Sequence, residues 1–466
     1  MLVLLGWTAA NPRRFLDGLI VAGVLAVAVR FAKRSPSALV PLFIVTFTFN
    51  RELRRVLDWG MGQFSQTPIT SLLPPLLSLM LGVVALAGAR KMPAFVRQAV
   101  FLVVAALAYG FVVGLGNRVG AMFELVAWST PIGLMLFVLW LRPSVEQVRS
   151  WIKVLILCAV VAAVYGWVQF VVYPPWDKFW VDRANMSSLG KSQALSVRMF
   201  GTMADPGSLG ILIVLGVLPL LAVRHWRSLV PGPSSLAVIA FLVTTLLATR
   251  ARTTWLMLLT GLALFALLGR ARDSGRMLLM ACLAGAAIFF AMPFLPNQEG
   301  ITERVATLGD VQNDGSFRGR VHFTTVMLGH IATNPVGWGF GSAGLAGRVG
   351  ETSTQITAFD NGFLQFPFTF GWLGAAVFLA ALLILLGRAW RARRLPGEAG
   401  DVQRLGLCIV LSFILSLATS NFFDNAHAAF FWLMLGLLLA WSVRPPVEVA
   451  VRSLPMHPPP LDRAQS

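Results

Sequence analysis

Six arginines stand at places in the sequence where a cation is hard to explain without a ligand. They flank apolar runs and fall, on the topology given below, on the face opposite to most other Lys and Arg residues, against the bias that orients membrane proteins. A guanidinium group suits phosphate above all, because it can donate two parallel hydrogen bonds. The pattern therefore indicates an anionic, phosphate-containing ligand at the outer face of a membrane. The six are Arg198, Arg250, Arg252, Arg304, Arg318 and Arg320.

The composition indicates an integral membrane protein. Charged residues make up 12% of the 466 positions, whereas a soluble domain carries roughly 25%. Apolar runs recur along the whole chain, and about 20 such residues are enough to cross a bilayer. They predict an all-α polytopic membrane protein with about 12 or 13 transmembrane helices. The net charge of +18 does not indicate nucleic acid, since basic cytoplasmic loops that face anionic lipid account for most of it.

Basic loops set the orientation. If the spans alternate, six basic segments fall on one side, and that side is the cytoplasm. The segments are Arg30–Arg34, Arg90–Lys91, Arg142–Lys153, Arg224–Arg227, Arg270–Arg276 and Arg388–Arg394. The start of the chain fits less well, because Arg13 and Arg14 would lie outside, and a shallow hairpin is an alternative for the first two spans.

The chain divides into one transmembrane domain over residues 1–445 and a tail over residues 446–466. The tail is rich in Pro and polar residues and is predicted to be disordered and cytoplasmic. The longest outer loop runs from about residue 296 to 359 and is predicted to contain short helices. Loops of this length tend to be functional.

Two segments near the predicted outer face carry arginines next to helix ends. Arg250 and Arg252 lie in a turn that joins two apolar spans with almost no loop between them. Either they reach lipid phosphates, as arginines near the end of a span do, or they clamp a lipid-linked phosphate or pyrophosphate. Arg198 precedes a span and has no evident structural role. Asp205, directly before Pro206, is predicted to cap that span.

The long outer loop carries a second set of candidates. Arg320 and His322 are predicted to begin an amphipathic helix over 320–333, and a helix N-terminus with two arginines favours an anion. His322 is either a general base or a polar loop residue. The glycine run over 337–341 resembles phosphate-binding loops but equally fits a tight turn. The face of the helix is predicted from Val321, Thr324, Thr325, Leu328 and Ile331.

Two polar clusters lie at the outer ends of later spans. Asp360 and Asn361 open a long span, where Asp360 either caps the helix or accepts a proton and orients a substrate hydroxyl. Asp424 and His427 would be neighbours on a helix, but two such groups are too few to argue for a metal site. No metal is predicted. Possible substrate-binding residues are Arg54, Arg318, Asn361 and Asp424.

Together these segments resemble the bacterial O-antigen ligase/polymerase family, over roughly residues 150–390. Residues 51–59 and the pair Trp176-Asp177 further resemble exopolysaccharide polymerases of this group. The matching stretches are Arg198-Met-Phe-Gly-Thr202, Arg250-Ala-Arg-Thr-Thr-Trp255, Arg320 with the later Pro335-Val-Gly-Trp-Gly-Phe-Gly341, and Asp360-Asn-Gly-Phe-Leu364 with Phe370-Gly-Trp-Leu-Gly374.

The resemblance implies a metal-independent, inverting glycosyltransferase of the GT-C type that needs no cofactor. Members move a glycan from a polyprenyl (undecaprenyl) pyrophosphate carrier to a hydroxyl group at the periplasmic face of the bacterial inner membrane. The ligase branch typically has a histidine in the segment that reads Ala358-Phe-Asp-Asn361 here, and this departure favours a polymerase of lipid-linked repeat units. Asp360 is the first candidate for the catalytic base and His322 the second. The implied pyrophosphate-binding residues are Arg198, Arg250, Arg252 and Arg320.

Two alternatives stay open. The ligase reaction would attach the glycan to lipid A–core. A transporter or flippase for an anionic lipid-linked solute would carry charged groups near the middle of its spans, whereas Asp17 is the nearest candidate here and polar groups crowd one face. The expected partners are the lipid-linked oligosaccharide and the bilayer, with a chain-length regulator and export machinery as further candidates and no nucleic acid.

Overall fold

The structure, a computed structural model, describes residues 12–65, 68–88, 92–184, 189–222, 234–268, 315–349, 359, 361–392, 397–423 and 427–443. Within these ranges the chain forms α-helices, short 3-10 turns and irregular connections, with an isolated bridge between Gly190 and Val197. The prediction of an all-α polytopic membrane protein is confirmed.

The helices are numbered along the described chain. They are α1 (Pro12–Arg34), α2 (Leu39–Gly60), α3 (Leu73–Leu86), α4 (Ala94–Val113), α5 (Arg118–Ser129), α6 (Ile132–Leu141), α7 (Val145–Val172), α8 (Pro175–Ala184), α9 (Pro206–Ala222), α10 (Ser234–Ala248), α11 (Arg252–Leu268), α12 (Gly315–Thr333), α13 (Gly344–Val349), α14 (Gly362–Ala392), α15 (Gly397–Ser416) and α16 (Ala428–Val443).

Several helices can cross a membrane by length and composition. In the described ranges, six helical stretches meet both conditions, and α9, α10, α11 and α16 are shorter apolar helices. The total of 12 or 13 spans stays a prediction, and the span predicted over 276–295 lies outside the described residues. The six stretches are Pro12–Arg34, Ile69–Leu86, Ala94–Leu141, Val145–Val172, Gly362–Arg391 and Glu398–Ser416.

The last helix lies inside the bundle. Almost every side chain of α16 from Ala428 to Trp441 is buried, as expected of a helix that is apolar on all sides. It packs against α6 as well as α14 and α15. At Gly436 a Cβ atom would lie 2.8 Å from the backbone of Met135, so the absence of a side chain lets α16 approach α6 closely.

Short-range sequence signals fix several helix ends. Ser144 and Gln147 form a capping box at the start of α7, in which the Gln147 side chain accepts from the Ser144 amide at 2.9 Å. Asp205 caps α9 as predicted, because its carboxylate accepts from the Ser208 amide at 3.0 Å. Asn361 accepts from the Phe363 amide at 3.0 Å and caps α14. The caps at Asp205 and Asn361 therefore fix the starts of the helices next to the candidate residues.

The helix predicted over 320–333 is present but differs in two respects. α12 begins at Gly315, so Arg320 and His322 lie in its second turn, and the prediction that they form its N-terminus is wrong. The packed face differs in part from the predicted pattern, because Ile331 is buried whereas Val321 and Leu328 are each 50% exposed. Phe323, Met327 and Ile331, spaced four apart, set the packed face.

Candidate functional site

Five stretches far apart in sequence meet at one end of the bundle, called the arginine end below. They are residues 47–58 of α2, residues 198–205 before α9, the turn 249–253, residues 361–365 at the start of α14, and residues 417–423 with His427 before α16. The Gly362 amide donates to the carbonyl of Leu417 at 2.7 Å. The hydroxyl groups of Thr253 and Thr419 lie 3.2 Å apart. These contacts tie the later stretches to the turn at Arg250.

Arg198 lies against the end of α10. Its guanidinium donates to the carbonyls of Thr249 at 3.2 Å and Arg250 at 3.0 Å. Basic side chains favour such carbonyls because the C-terminal turn of a helix leaves them without helical partners. The structural role that the sequence did not reveal is therefore to hold the turn at 249–251. The structure thus places Arg198 next to the Arg250 segment.

Backbone geometry and local hydrogen bonds define the shape of the turn at Arg250. Arg250 has φ +55°, a left-handed conformation that a residue with a side chain adopts only when its surroundings hold it. The Ala251 carbonyl accepts from the Thr254 hydroxyl at 2.8 Å, and the Trp255 indole donates to the Leu246 carbonyl at 2.9 Å. Arg252 is the first residue of α11 and is partly buried. Arg250 and Arg252 thus project from a turn with a fixed shape.

Arg55 connects α2 to two other parts of the site. Its guanidinium lies 2.7 Å from the Asp177 carboxylate on α8 and also pairs with Glu52. It donates to the Met203 carbonyl at 2.6 Å and to the Gly201 carbonyl, and it stacks over the Phe200 ring. The side chain is 1% exposed. A cation buried among two carboxylates and two carbonyls serves structure, and this residue holds the 199–205 stretch in place.

Arg54, predicted as a possible substrate-binding residue, lies in a neighbouring buried network. It pairs with Asp58 at 3.4 Å and donates to the Ser65 carbonyl. Asp58 in turn forms an ion pair with Arg13 at 2.8 Å, and Arg13 also pairs with Asp17. These charges join α1 to α2. The structure therefore gives Arg54 a role in helix packing, and Asp17 belongs to the same network.

The glycine run packs into the bundle. Gly337, Gly339 and Gly341 have φ values of +88°, +72° and +76°, and a Cβ atom at Gly339 would lie 2.2 Å from the Gly114 amide nitrogen. The Gly339 amide donates to the Thr369 carbonyl at 3.1 Å. The Gly341 amide donates to the Glu124 carboxylate at 2.7 Å. Of the two alternatives, the structure supports the tight turn, because the backbone donors of Gly339 and Gly341 are used within the protein.

A buried polar chain runs from this loop to the arginine end. The Glu124 carboxylate, which receives the Gly341 amide, lies 3.5 Å from the side-chain amide of Gln365. The Gln365 side chain accepts from Asn421. Glu124 is 5% exposed and Gln365 1% exposed. This row of polar side chains links α5 and α14 with the stretch before α16. It thereby fixes the distance between the glycine run and the arginine end.

The candidates on α12 lie beside the arginine end. Arg318 and His322 are exposed, and Arg320 is partly buried. α12 packs against α14 through Met327 and Ile331, and the first residues of α14 belong to the site. Whether Arg320 shares a ligand with Arg250 stays a prediction. Asp360 and Asp424 lie outside the described residues.

Several residues of this end were not singled out as site residues from the sequence. Arg55 and Asp177 are paired across more than a hundred positions, so no local spacing could reveal them. Glu124 lies within an apolar run, where an acidic residue is itself a signal of a buried partner. His427 was noted in sequence only as a neighbour of Asp424, and its ring lies edge-on to Phe47 of α2, with 5.5 Å between ring centroids.

The arrangement suits the binding of an anion by arginines that lie near side-chain hydroxyl groups. Arg198 donates to the carbonyl oxygens of Thr249 and Arg250, and these hydrogen bonds orient its guanidinium. Arg250 and Arg252 extend from the same fixed turn, and side-chain hydroxyls and amides from α11, α14 and the stretch before α16 lie around it. Planar cations of this kind recognise phosphate through paired hydrogen bonds.

Comparison with known proteins gives a family for this region. Residues 236–379 match the family model described as O-antigen ligase. The matched part contains the Arg250 turn, α11, α12, the glycine run and the first half of α14. Among curated proteins, none matches the chain.

Proposed function

We propose that this protein, a member of the O-antigen ligase/polymerase family by its match over residues 236–379, is a polysaccharide polymerase. It transfers a glycan from a polyprenyl pyrophosphate carrier to a hydroxyl group of another lipid-linked repeat unit. The reaction takes place at the periplasmic face of the inner membrane, inverts the anomeric centre and needs no metal. The family match itself indicates glycosyl transfer of the ligase or polymerase type.

One observation carries the proposal: Arg198 holds the turn from which Arg250 and Arg252 extend, at 3.0 Å from the Arg250 carbonyl. As the glycosidic bond breaks, negative charge grows on the departing pyrophosphate. Fixed cations next to it stabilise the transition state more than the ground state. Because the turn already has its shape, little reorganisation is needed when that charge develops.

The lipid carrier accounts for the position of these cations between apolar helices. A polyprenyl chain partitions into the bilayer, so its pyrophosphate lies at the membrane boundary. The turn 249–251 joins two apolar helices directly. Arginines at such a turn can reach the pyrophosphate while the polyprenyl tail stays in the bilayer beside the helices.

The choice of polymerase over ligase depends on residues 358–361, which read Ala-Phe-Asp-Asn. The ligase branch of the family typically has a histidine in this segment. A ligase acting on lipid A–core is the second candidate function, and it rests on the description of the matching family model.

The test uses the purified full-length protein with synthetic lipid-linked repeat units and no nucleotide or metal. We expect a ladder of longer glycans on gels. In a parallel reaction, lipid A–core is added as acceptor. A product on lipid A–core without a ladder would make the protein a ligase. If neither acceptor gives product, both enzymatic functions are wrong.

A further inference from the structure

A line of three side chains on α2 points to a second functional cluster at the arginine end. Phe47, Arg51 and Arg55 are four residues apart and therefore lie on one face of the helix. At one end of this line, Phe47 contacts the His427 ring at 5.5 Å between centroids. At the other end, Arg55 holds the carbonyls of Gly201 and Met203. Arg51 lies between these two contacts.

The stretch held by Arg55 brings a carboxylate to the same place. Asp205 follows Met203 by two residues, and its carboxylate accepts from the Ser208 amide at 3.0 Å at the start of α9. From there it interacts electrostatically with both Arg51 and His427. Arg51 donates to the Ser71 hydroxyl at 3.4 Å. Three separate elements thus bring an arginine, a carboxylate and an imidazole to the same region of the arginine end.

We propose that His427 accepts the proton of the acceptor hydroxyl during glycosyl transfer, with the negative charge of Asp205 favouring the protonated ring that forms. The inference rests on the polymerase function proposed above. The hydroxyl O–H bond breaks, and its proton moves to a ring nitrogen of His427. The oxygen forms the new bond to the anomeric carbon, and the electron pair of the old bond leaves with the pyrophosphate. The imidazolium then releases its proton to water.

An imidazole fits this role better than the other groups of the cluster. An arginine stays protonated and cannot accept a proton. Two charged groups that act on His427 are Asp205, ahead of α9, and Arg51, on α2. Burial lowers the pKa of His427, Asp205 raises it and Arg51 lowers it. The ring is therefore neutral near pH 7, and a neutral ring is the form able to accept a proton.

The first test replaces His427 by Gln in the full-length protein and measures polymerisation of lipid-linked repeat units. Loss of a general base lowers kcat by about 100-fold or more, with little change in KM because ground-state binding is retained. The matched control is His330→Gln, a histidine on α12 that contacts Trp338 and should keep normal activity. A near-normal kcat in His427→Gln overturns the proposal. So does a loss of activity in His322→Gln when His427→Gln stays active.

The second test uses the pH profile of kcat and does not require replacing His427. Activity should fall at acid pH as the base becomes protonated. Asn caps helices as well as Asp, so Asp205→Asn keeps the start of α9 while removing the charge that raises the His427 pKa. The acid limb should therefore move to lower pH. In Arg51→Gln, which removes a cation, it should move to higher pH.

The outcomes separate this inference from the polymerase function. If the wild-type protein makes no polymer, the proposed function is wrong. If it makes polymer but the acid limb stays in place in Asp205→Asn and Arg51→Gln, the role of His427 is wrong. Should His427→Gln fail to fold, as judged by gel filtration in detergent, the pH profiles of the other two variants decide.

Discussion

Arg55 binds the stretch of residues 198–205 and Arg198 belongs to it, yet the surroundings of the two side chains differ in kind. Arg55 is 1% exposed and pairs with the carboxylates of Asp177 and Glu52. Arg198 is partly buried and donates to two backbone carbonyls. Arg55 therefore holds together elements that are distant in sequence, whereas Arg198 orients the turn that carries Arg250 and Arg252, the residues proposed to bind the pyrophosphate.

The largest expected effect tests the structural side of this difference. In Arg55→Met, Asp177 and Glu52 lose their cation, and breaking a buried ion pair on one side costs about 3–5 kcal/mol of stability. We expect a large fall in Tm in detergent and in membrane levels. The double variant Arg55→Met with Asp177→Leu should recover part of the loss, since apolar groups of similar size can replace a buried pair. An unchanged Tm in the single variant would show that Arg55 does not hold the site together.

The next effect tests the ligand side. Arg250→Ala should lower the polymerisation rate by about 100- to 1000-fold, as expected when a group that stabilises developing charge is removed. Membrane levels and Tm should change little. The matched control is Arg183→Ala, an exposed arginine on α8 that donates to the Phe179 carbonyl and should keep normal activity. Normal polymer from Arg250→Ala would exclude it as a pyrophosphate-binding residue, and a Tm loss as large as in Arg55→Met would remove the distinction between the two arginines.

The smallest effect is expected for the ion pair of Arg149, which lies near the start of α7. Arg149 pairs with Glu398 at 2.7 Å, but its side chain is 41% exposed. Exposed ion pairs contribute about 0–1 kcal/mol, so Arg149→Ala should shift Tm slightly and leave polymerisation unchanged. Measurement of Tm at low and high salt checks this, because salt should reduce the difference further. A destabilisation similar to that of Arg55→Met would mean that burial does not separate the two classes of ion pair.

The sequence predicted those features that depend on neighbouring residues or on composition. The all-α membrane fold followed from long apolar runs, and the cap at Asp205 followed from its place before Pro206. On α12, Ile331 of the predicted pattern is buried, whereas Phe323 and Met327, which complete the packed face, were not part of that pattern. The role of Arg54 and the contacts of Arg198 could not be predicted, since their partners are set by helix packing. Asp360 and Asp424 lie outside the described residues, so their roles stay predictions.

The contacts of Arg55 have a consequence for how the protein is made. The Met203 carbonyl that it binds follows 148 positions later in the chain, and at about 5–20 residues per second a ribosome needs about 7 to 30 seconds to reach it. Asp177 also emerges long after α2. Glu52, three residues before Arg55, is the partner that is present from the start. During insertion it supplies the counter-charge until the later segments arrive.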